Sequence, residues 1–359
     1  MTHGRATAQN FAFSPKKPTP GFTLYTPLCN ATAYLVNMAG VIVHQWDLPA
    51  GPSNYGYLLP NGNLLIALRS EDSPHDMARG GIMRELDWDG NIVSEYIDPY
   101  QHHDLRRCAN GNLLYLGWHL LPEAQAARVQ GGIPGSEHAM GIWGDYIREV
   151  NPAGETVWQW NGWEHMEIEQ YPLAPTSNRH EFAHPNTLVA LEDGSALMCF
   201  RHLSLIAIVD RTTGALAWHR QDYARGGPHD IQFLDNGHMM LFANGDGCRP
   251  RGSKVLEFDQ QSGETIWQYQ GNPSHTFDSF FISGCQRLWS GNTLICEGMW
   301  SRIFEVTPAG DLVWEYINPF TGPQPAPGPS VGDVSFVFRA YRYAPDGPEI
   351  QGRLQGRVG

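Results

Sequence analysis

Six polar side chains stand at one fixed distance from six copies of a short turn in the 359-residue sequence. Counting back eight residues from the glycine of each turn gives Asn54, His103, Asn186, His229, Ser283 and Arg339. His184 lies two residues before Asn186, and therefore on the same face of an extended strand, and Arg201 follows the next strand. Imidazole, amide and guanidinium groups gathered at one place can hold an anion, move protons and provide a nucleophile.

The same imidazoles also suit a metal. Neutral imidazole binds divalent transition metals of the zinc, iron, copper or manganese kind, and metal-dependent lyases, isomerases and oxygenases use such clusters. The residues of this alternative metal site would be His103, His184, His229 and His275. Arg201 distinguishes the two hypotheses, because a cation nearby assists an anionic reacting group and does nothing for a metal. A non-catalytic site that binds a small molecule is a third possibility.

The turn that fixes these positions is of the hairpin type. Five copies are Asn-Gly or Asp-Gly and one is Ser-Gly, at residues 61–62, 110–111, 193–194, 236–237, 290–291 and 346–347. Such a pair between alternating apolar residues is the strongest short signal for a hairpin, because the tight turn needs positive φ. Each copy therefore predicts two antiparallel strands joined by a tight turn.

A second repeat alternates with the first. It is a glycine followed by a β-run with an aromatic residue near its end, and its copies begin at Gly40, Gly90, Gly154, Gly214, Gly263 and Gly310. The spacings of 50, 64, 60, 49 and 47 residues are typical of propeller blades. One hairpin from each repeat makes a blade of four strands.

The chain ends decide how the sheets close. The first glycine–aromatic copy, at residues 31–48, has no hairpin before it, and the last hairpin, at 334–346, has no such copy after it. The two halves complete one another, which removes an open sheet edge. The sequence therefore predicts an all-β fold, a six-bladed β-propeller of four-stranded antiparallel blades whose terminal blade is closed by both chain ends. We expect residues 31–48 and 334–344 to share one sheet.

The domain organisation follows from this architecture. We expect an N-terminal extension at 1–21, one propeller domain at 22–348 with a proline-rich connector at 318–333, and a C-terminal tail at 349–359. Two insertions, at 119–145 and 161–179, interrupt the repeat, and long loops on a rigid scaffold usually shape binding sites.

The repeat also predicts where the polar residues meet. The first strand of each blade lines the channel of a propeller, so the common register brings its side chains towards one mouth. We expect His103, His184, His229 and Arg201 in one cavity as catalytic residues. The residues expected to bind substrate are Asn54, Asn186, Ser283 and Arg339 on the channel, and His180 and His275 on loops at its rim.

Composition limits the partners. The net charge of −13 argues against nucleic acid, because no basic surface is available to replace the counterions on phosphates. No run approaches the ~20 apolar residues of a membrane span, and the N-terminus lacks the apolar segment of a signal peptide. We expect a cytoplasmic protein that acts on an aromatic or anionic small molecule and binds neither nucleic acid nor membrane. A homo-oligomer is an open alternative.

Several stretches resemble a known family. The runs HPNTLVALEDGSALMCFRHLSLIAIVDRTTGALAW, GGPHDIQFLDNGHMMLFANGD, SKVLEFDQQSGETIWQY and SGCQRLWSGNTLICEGMWSRIFEVTPAGDLVWEYINPF are similar to the aryl-sulfate sulfotransferases. The resemblance extends over about residues 22–343 and implies the same six-bladed propeller. It also implies transfer of a sulfuryl group from a phenolic sulfate to another phenol through a sulfated histidine, with no nucleotide donor and no cofactor.

The resemblance assigns roles to single residues. His229 matches the nucleophile, His184 and Asn186 the His-x-Asn element, Arg201 the arginine after the following strand, and His103 a histidine of the preceding blade. In such a site Arg201 and a protonated His184 would hold the sulfuryl oxygens, and Asn186 would add an amide donor. His103 would give a proton to the departing phenol and take one from the acceptor.

Overall fold

The computed structural model describes residues 9–10, 17–324 and 332–359 of the chain. The proposed N-terminal extension at 1–21 and proline-rich connector at 318–333 therefore lie partly outside the described residues. The first eight strands are β1 (Gln9–Asn10), β2 (Phe22–Pro27), β3 (Thr32–Val36), β4 (Ile42–Asp47), β5 (Pro52–Leu58), β6 (Leu64–Arg69), β7 (Gly81–Leu86) and β8 (Ile92–Ile97).

The middle of the chain contains twelve strands. They are β9 (Gln101–Arg107), β10 (Leu113–Leu120), β11 (Trp143–Val150), β12 (Thr156–Asn161), β13 (Pro185–Ala190), β14 (Ala196–Phe200), β15 (Leu205–Val209), β16 (Leu216–Gln221), β17 (Pro228–Phe233), β18 (Met239–Ala243), β19 (Lys254–Phe258) and β20 (Thr265–Gln270). The last five are β21 (Gly284–Arg287), β22 (Thr293–Glu297), β23 (Arg302–Val306), β24 (Leu312–Ile317) and β25 (Val337–Tyr343).

Helical structure is confined to short segments in the described part of the chain. Two α-helices of one turn are α1 (Glu123–Ala126) and α2 (Gly162–His165), and 3-10 turns lie at Ile168–Gln170, Tyr223–Arg225, Ser274–Thr276 and Gly298–Trp300. No helix among the described residues is long and apolar enough to cross a bilayer. The strands pair antiparallel in six sheets, and the predicted fold class, a six-bladed β-propeller with four-stranded blades, is confirmed.

The contacts of the chain cluster into two compact units. Met1–Pro99 and Ile282–Gly359 form the first, which holds the sheets β25-β2-β3-β4, β5-β6-β7-β8 and β21-β22-β23-β24, the last extended by β1 beside β24. Tyr100–Phe281 form the second, which holds β9-β10-β11-β12, β13-β14-β15-β16 and β17-β18-β19-β20. The expectation of a single domain at 22–348 stays a prediction.

The closing sheet of the first unit joins both chain ends, as predicted. Strand β25 pairs with β2, which pairs with β3 and then β4, so residues 31–48 and 334–344 share a sheet. The prediction of a second hairpin strand after Asp346-Gly347 is wrong, because β2 takes that place in the sheet. The chain beyond Gly347 makes successive turns instead, and it buries Ile350 and Leu354 in the apolar cluster that also contains Leu24.

A carboxylate on the third strand holds the hairpin turn in four blades. The Asn110 and Asn112 amides donate to Glu149 on β11 at 3.2 and 2.5 Å, and Asn61 and Asn63 bond Glu85 on β7 in the same way. Turn residues likewise donate to Glu257 and Glu305. The asparagine of the turn therefore has two functions, since it permits the tight backbone and also anchors the hairpin to its sheet.

The central position of β2 in the closing sheet predicts that truncating one of its buried side chains lowers the free energy of unfolding. Leu24 on β2 is 1% exposed and packs in an apolar cluster with Phe22, Leu35 and Leu58. We expect Leu24→Ala to lower the free energy of unfolding by about 2–5 kcal/mol, because a buried leucine leaves a cavity when it is truncated. Urea denaturation measures the change. The control Val41→Ala, at a side chain that is 57% exposed, should shift it by less than about 0.5 kcal/mol. Equal effects of the two substitutions would contradict the described packing.

Candidate active site

The first strand of each sheet in the second unit has a shift in pairing register at or next to the position that the sequence repeat predicted for the site. Strands β9, β13 and β17 begin their three sheets and lie side by side. The pairing register shifts near His103 on β9, at Asn186 on β13 and just after His229 on β17. The backbone at His103 and His184 has positive φ, 48° and 55°. A bulge turns a side chain away from the ordinary pleat, and bulges are common beside active sites.

Buried hydrogen bonds fix these three strands against one another. The Thr187 hydroxyl donates to Asn186 Oδ1 at 2.7 Å and accepts the Asp230 backbone N–H at 2.8 Å, which ties β13 to β17. Asn186 Nδ2 donates to the carbonyl of Pro228, the residue before His229, at 2.9 Å. On the other side, Leu188 N–H donates to the Asp104 carboxylate of β9 at 2.9 Å. The positions of the histidines are therefore set by neighbours on adjacent strands.

Two adjacent histidines and a carboxyl group form the first half of a buried cluster. His102 Nδ1 lies 2.7 Å from His103 Nδ1, and His102 Nε2 lies 3.2 Å from Asp145 Oδ1 on β11. The His102 ring stacks on Trp118 with a centroid distance of 4.5 Å. Asp145, His102 and His103 therefore lie in a row of acid, imidazole and imidazole, in which His102 and His103 are hydrogen-bonded and Asp145 is close to His102 without hydrogen-bond geometry.

The second half of the cluster centres on His184. Its Nδ1 lies 2.7 Å from Glu181 Oε2, and its ring meets His103 edge-on at 4.5 Å between centroids. The His184 ring also stacks on His202, with 4.4 Å between the centroids. Because a carboxylate only accepts, the His184 Nδ1 carries the hydrogen in this contact. Four imidazoles and two carboxyl groups thus share one buried region of the second unit.

Burial decides the protonation of two members of the cluster. Burial, and then the nearby Glu181 carboxylate, raise the pKa of Asp145 well above its ordinary value. Burial, followed by the charges of His184 and Arg201, lowers the pKa of His202 well below that of a free imidazole. Both shifts favour the uncharged form, which is the protonated carboxyl of Asp145 and the neutral imidazole of His202.

His229 is held by a backbone carbonyl. It is 2% exposed, and its Nδ1 lies 3.2 Å from the Gly227 oxygen. A carbonyl only accepts, so Nδ1 carries the hydrogen, and the neutral ring has its lone pair on Nε2. The carbonyl sits in an unusual turn, since Gly226 and Gly227 both have positive φ, 55° and 79°. A Cβ on Gly226 would come within 2.4 Å of the Asp246 nitrogen, so only glycine fits there.

Arg201 connects the histidines to the loop at Asp246. Its backbone N–H donates to the His184 carbonyl at 3.0 Å, and its Nη2 donates to Asp246 Oδ2 and to the Phe280 carbonyl, each at 3.2 Å. Its Nε is buried and makes no hydrogen bond. Burial lowers the pKa of Arg201, and the Asp246 charge opposes that change. The guanidinium is thus a mostly buried cation, and its charge acts on the neighbouring His202.

The structure separates the predicted site residues into groups. His103 and His184 are in ring contact, Arg201 is bonded to the His184 backbone, and Asn186 is bonded to the residue before His229. His180 is half-buried with its ring 6.0 Å from that of His138, whereas His275 is exposed on a 3-10 turn. The catalytic and binding roles of all of these residues stay predictions.

The remaining predicted residues belong to the first unit. Asn54, Ser283 and Arg339 are all buried there. The Ser283 hydroxyl accepts the Gly298 N–H at 2.9 Å, and the Arg339 guanidinium lies 4.8 Å from the centre of the Tyr55 ring. Their expected contact with substrate also stays a prediction.

Sequence reasoning missed four members of the cluster. The sequence analysis gave no role in it to His102, Asp145, Glu181 or His202. Glu181 precedes His184 by three residues, which was the one signal available; Asp145 lies on a different strand and gave none. Among the residues that the structure describes, no group of three or more His, Cys, Asp or Glu side chains is arranged to hold a metal ion.

Comparisons with known proteins found a matching family model and similar solved structures. A sequence model of the family described as arylsulfotransferase (ASST) matches residues 58–319, more than two thirds of the chain. Among curated proteins, no significant match was found. A Bacteroides caccae protein of unknown function has a similar structure with a TM-score of 0.58 and 14% identity, over 90% of this chain and 99% of that one. A catalytically inactive virginiamycin B lyase from Staphylococcus aureus, bound to quinupristin, gives 0.48 and 11%, over 88% and 90%.

The buried His202 predicts a pH dependence of stability. Its pKa is lowered on folding, so its contribution to stability is present above the unfolded pKa of about 6.5 and is lost as the pH falls towards the folded pKa. We expect His202→Phe, which keeps a ring against His184, to lose less stability than the parent below about pH 6.5. Urea denaturation over this pH range measures the two slopes. The control is His219→Phe, at an exposed ring on β16. Parallel slopes for parent and His202→Phe would contradict the assignment.

Proposed function

This chain belongs to the arylsulfotransferase family, and on that premise we propose that it transfers a sulfuryl group from an aryl sulfate to a phenol through His229. The observation that carries the proposal is the contact between His229 Nδ1 and the Gly227 carbonyl. It fixes the tautomer in which Nε2 has the lone pair, and this is the form of imidazole that attacks an electrophile.

The first half-reaction forms a sulfated histidine. His229 Nε2 attacks the sulfur of the aryl sulfate, the N–S bond forms, and the bond between sulfur and the aryl oxygen breaks. The electron pair of that bond goes to the aryl oxygen, which takes a proton and leaves as a phenol. The Arg201 backbone is hydrogen-bonded to His184, and its guanidinium has a buried Nε without a hydrogen bond. This cation stabilises the charge that spreads over the sulfuryl oxygens.

The row of Asp145, His102 and His103 supplies the proton. With Asp145 protonated, its carboxyl faces His102 Nε2, His102 Nδ1–H faces His103 Nδ1, and His103 Nε2–H is the group that donates to the departing oxygen. Each imidazole regains a proton from its neighbour in the row, so the net loss of a proton is from Asp145. No buried imidazolium persists along the row. The charge is left on Asp145 instead, and its raised pKa favours return of the proton in the second half-reaction.

The second half-reaction reverses these transfers. The oxygen of an acceptor phenol attacks the sulfur, and its proton passes to His103 and back along the row to Asp145. The N–S bond breaks, and its electrons return to His229 Nε2. Asn186 supports this cycle by position, because its amide holds the Pro228 carbonyl beside His229. His184, with Nδ1–H donating to Glu181, would face a sulfuryl oxygen through Nε2 in its protonated form.

Removal of the nucleophile is the first test. We expect His229→Ala to reduce transfer from 4-nitrophenyl sulfate to phenol by several orders of magnitude, because no neighbouring group replaces the attacking nitrogen. Intact-mass measurement after brief exposure to the donor should show one added sulfuryl group on the parent and none on the variant. The control is His219→Ala, at an exposed histidine on the outer strand β16, which should retain parental activity.

Two outcomes would contradict this mechanism. The first is a His229→Ala variant that still forms the sulfated enzyme. The second is a parent whose activity disappears on chelation and returns with added zinc, which would support the alternative in which the histidines bind a metal.

The acid role of His103 predicts a dependence on the leaving group. We expect His103→Ala to slow transfer most from aryl sulfates of weakly acidic phenols and least from 4-nitrophenyl sulfate, because a stable phenolate leaves without a proton. A plot of log kcat/KM against phenol pKa, over a series of substituted phenyl sulfates, should become steeper. Asp145→Asn, which cannot release its proton, should show the same trend to a smaller degree. Equal loss with every leaving group would remove His103 from the acid role.

A further inference from the structure

A cavity of about 610 Å³ lies in the second unit. Its walls include Gly131 and residues 172–176, which come from the two insertions that interrupt the repeat, together with Ser204, Tyr223 and Asp246. Small-molecule sites usually have volumes of about 300–1,000 Å³. The cavity is therefore large enough for a fused aromatic ring system rather than a single ring alone.

Hydrogen bonds hold the walls of this cavity in place. The Tyr223 hydroxyl donates to the Pro172 carbonyl at 2.7 Å, and the Leu173 N–H donates to Gln130 at 2.9 Å. The Ala174 N–H donates to the His202 carbonyl at 2.7 Å, and the His202 ring stacks on His184. The loop at 172–176 is thus attached directly to the cluster, and the cavity is formed before any ligand enters.

Two other residues that line the cavity, Asp246 and Ser204, form hydrogen bonds with Arg201 and with the segment before His229. The Asp246 carboxylate accepts from Arg201 Nη2 at 3.2 Å. The Ser204 hydroxyl accepts the Gly227 N–H at 3.3 Å, and the Gly227 carbonyl is the partner of His229 Nδ1. An aromatic ring in the cavity would therefore be next to both the cation and the segment that carries the nucleophile.

The chemistry of the walls selects the type of ring. Pro172 and Ala174 offer apolar surface, and Tyr223, which is 40% exposed, offers an aromatic ring for stacking. Among the described residues that line the cavity, Asp246 is the one charged side chain. A carboxylate accepts a hydrogen bond from a second hydroxyl on the ring and repels a carboxylate there.

We propose that this cavity is the aryl subsite and that it selects uncharged fused-ring phenols over anionic ones. The inference rests on the proposed sulfuryl transfer for its place in the reaction, but its binding chemistry can be tested without turnover. Asp246 is its specificity residue, since it both orients Arg201 and excludes an anionic substituent.

The test uses two matched fluorescent probes, 7-hydroxycoumarin and 7-hydroxycoumarin-3-carboxylate, which share one ring system and differ by a carboxylate. We expect the parent to bind the uncharged probe at least about tenfold more tightly. Ala174→Phe, which fills the cavity, should weaken its binding by about tenfold or more, while Ala153→Phe on an exposed turn leaves it unchanged. If Ala174→Phe fails to fold, Thr176→Phe at the exposed rim serves instead. Asp246→Asn should reduce the preference between the two probes to less than about threefold.

The outcomes separate this inference from the proposed reaction. His229→Ala should bind 7-hydroxycoumarin like the parent, because the ring sits in the cavity and the nucleophile does not line it. Weakened binding in Ala174→Phe in a protein without sulfuryl transfer would support the cavity as a ring-binding site and reject the reaction. Parental binding by both cavity-filling variants, or an unchanged preference in Asp246→Asn, would overturn the subsite even if His229→Ala abolishes transfer.

Discussion

The hydroxyl of Thr187 is the contact on which the candidate site depends. It lies fully buried, accepts the Asp230 N–H and donates to the Asn186 amide, and that amide in turn holds the carbonyl before His229. Strand β13 is thereby bonded to β17, and the Asp104 carboxylate bonds it to β9. A buried polar group left without a partner costs about 1–3 kcal/mol, so these strands have one satisfied arrangement. This arrangement of the strands therefore sets the positions of the histidines.

The cluster also shows how acidic and basic groups can be buried together. Asp145 and Glu181 lie near one another, and burial keeps a proton on Asp145. Glu181 instead accepts from His184, and Arg201 adds a cation on the same side, paired with Asp246. A protonated acid and a neutral His202 reduce the number of uncompensated charges. Acid, base and cation are therefore kept as separate groups in one part of the second unit.

The sequence repeat predicted the sheets and the register of the inner strands, because tight turns and alternating apolar residues are local signals. It also brought His103 and His184 to the same place, since both occupy the start of an inner strand. It could not predict Asp145, whose contact with His102 joins two strands of one blade, or the bulges that turn His103 and Asn186. The Asp346-Gly347 pair was misleading for a related reason. A local turn signal does not reveal that β2, far away in sequence, takes the next place in the sheet.

The closing sheet has a consequence for synthesis on the ribosome. Strand β2 emerges early, but its hydrogen-bonding partner β25 begins only at Val337, roughly 300 residues later. At a translation rate of ~5–20 residues per second, the edge of β2 waits for about 15–60 s before it can pair. During this time it is an open template for other chains. A nascent protein of this design therefore depends on chaperones, or on low local concentration at the polysome, until its final strand has been made.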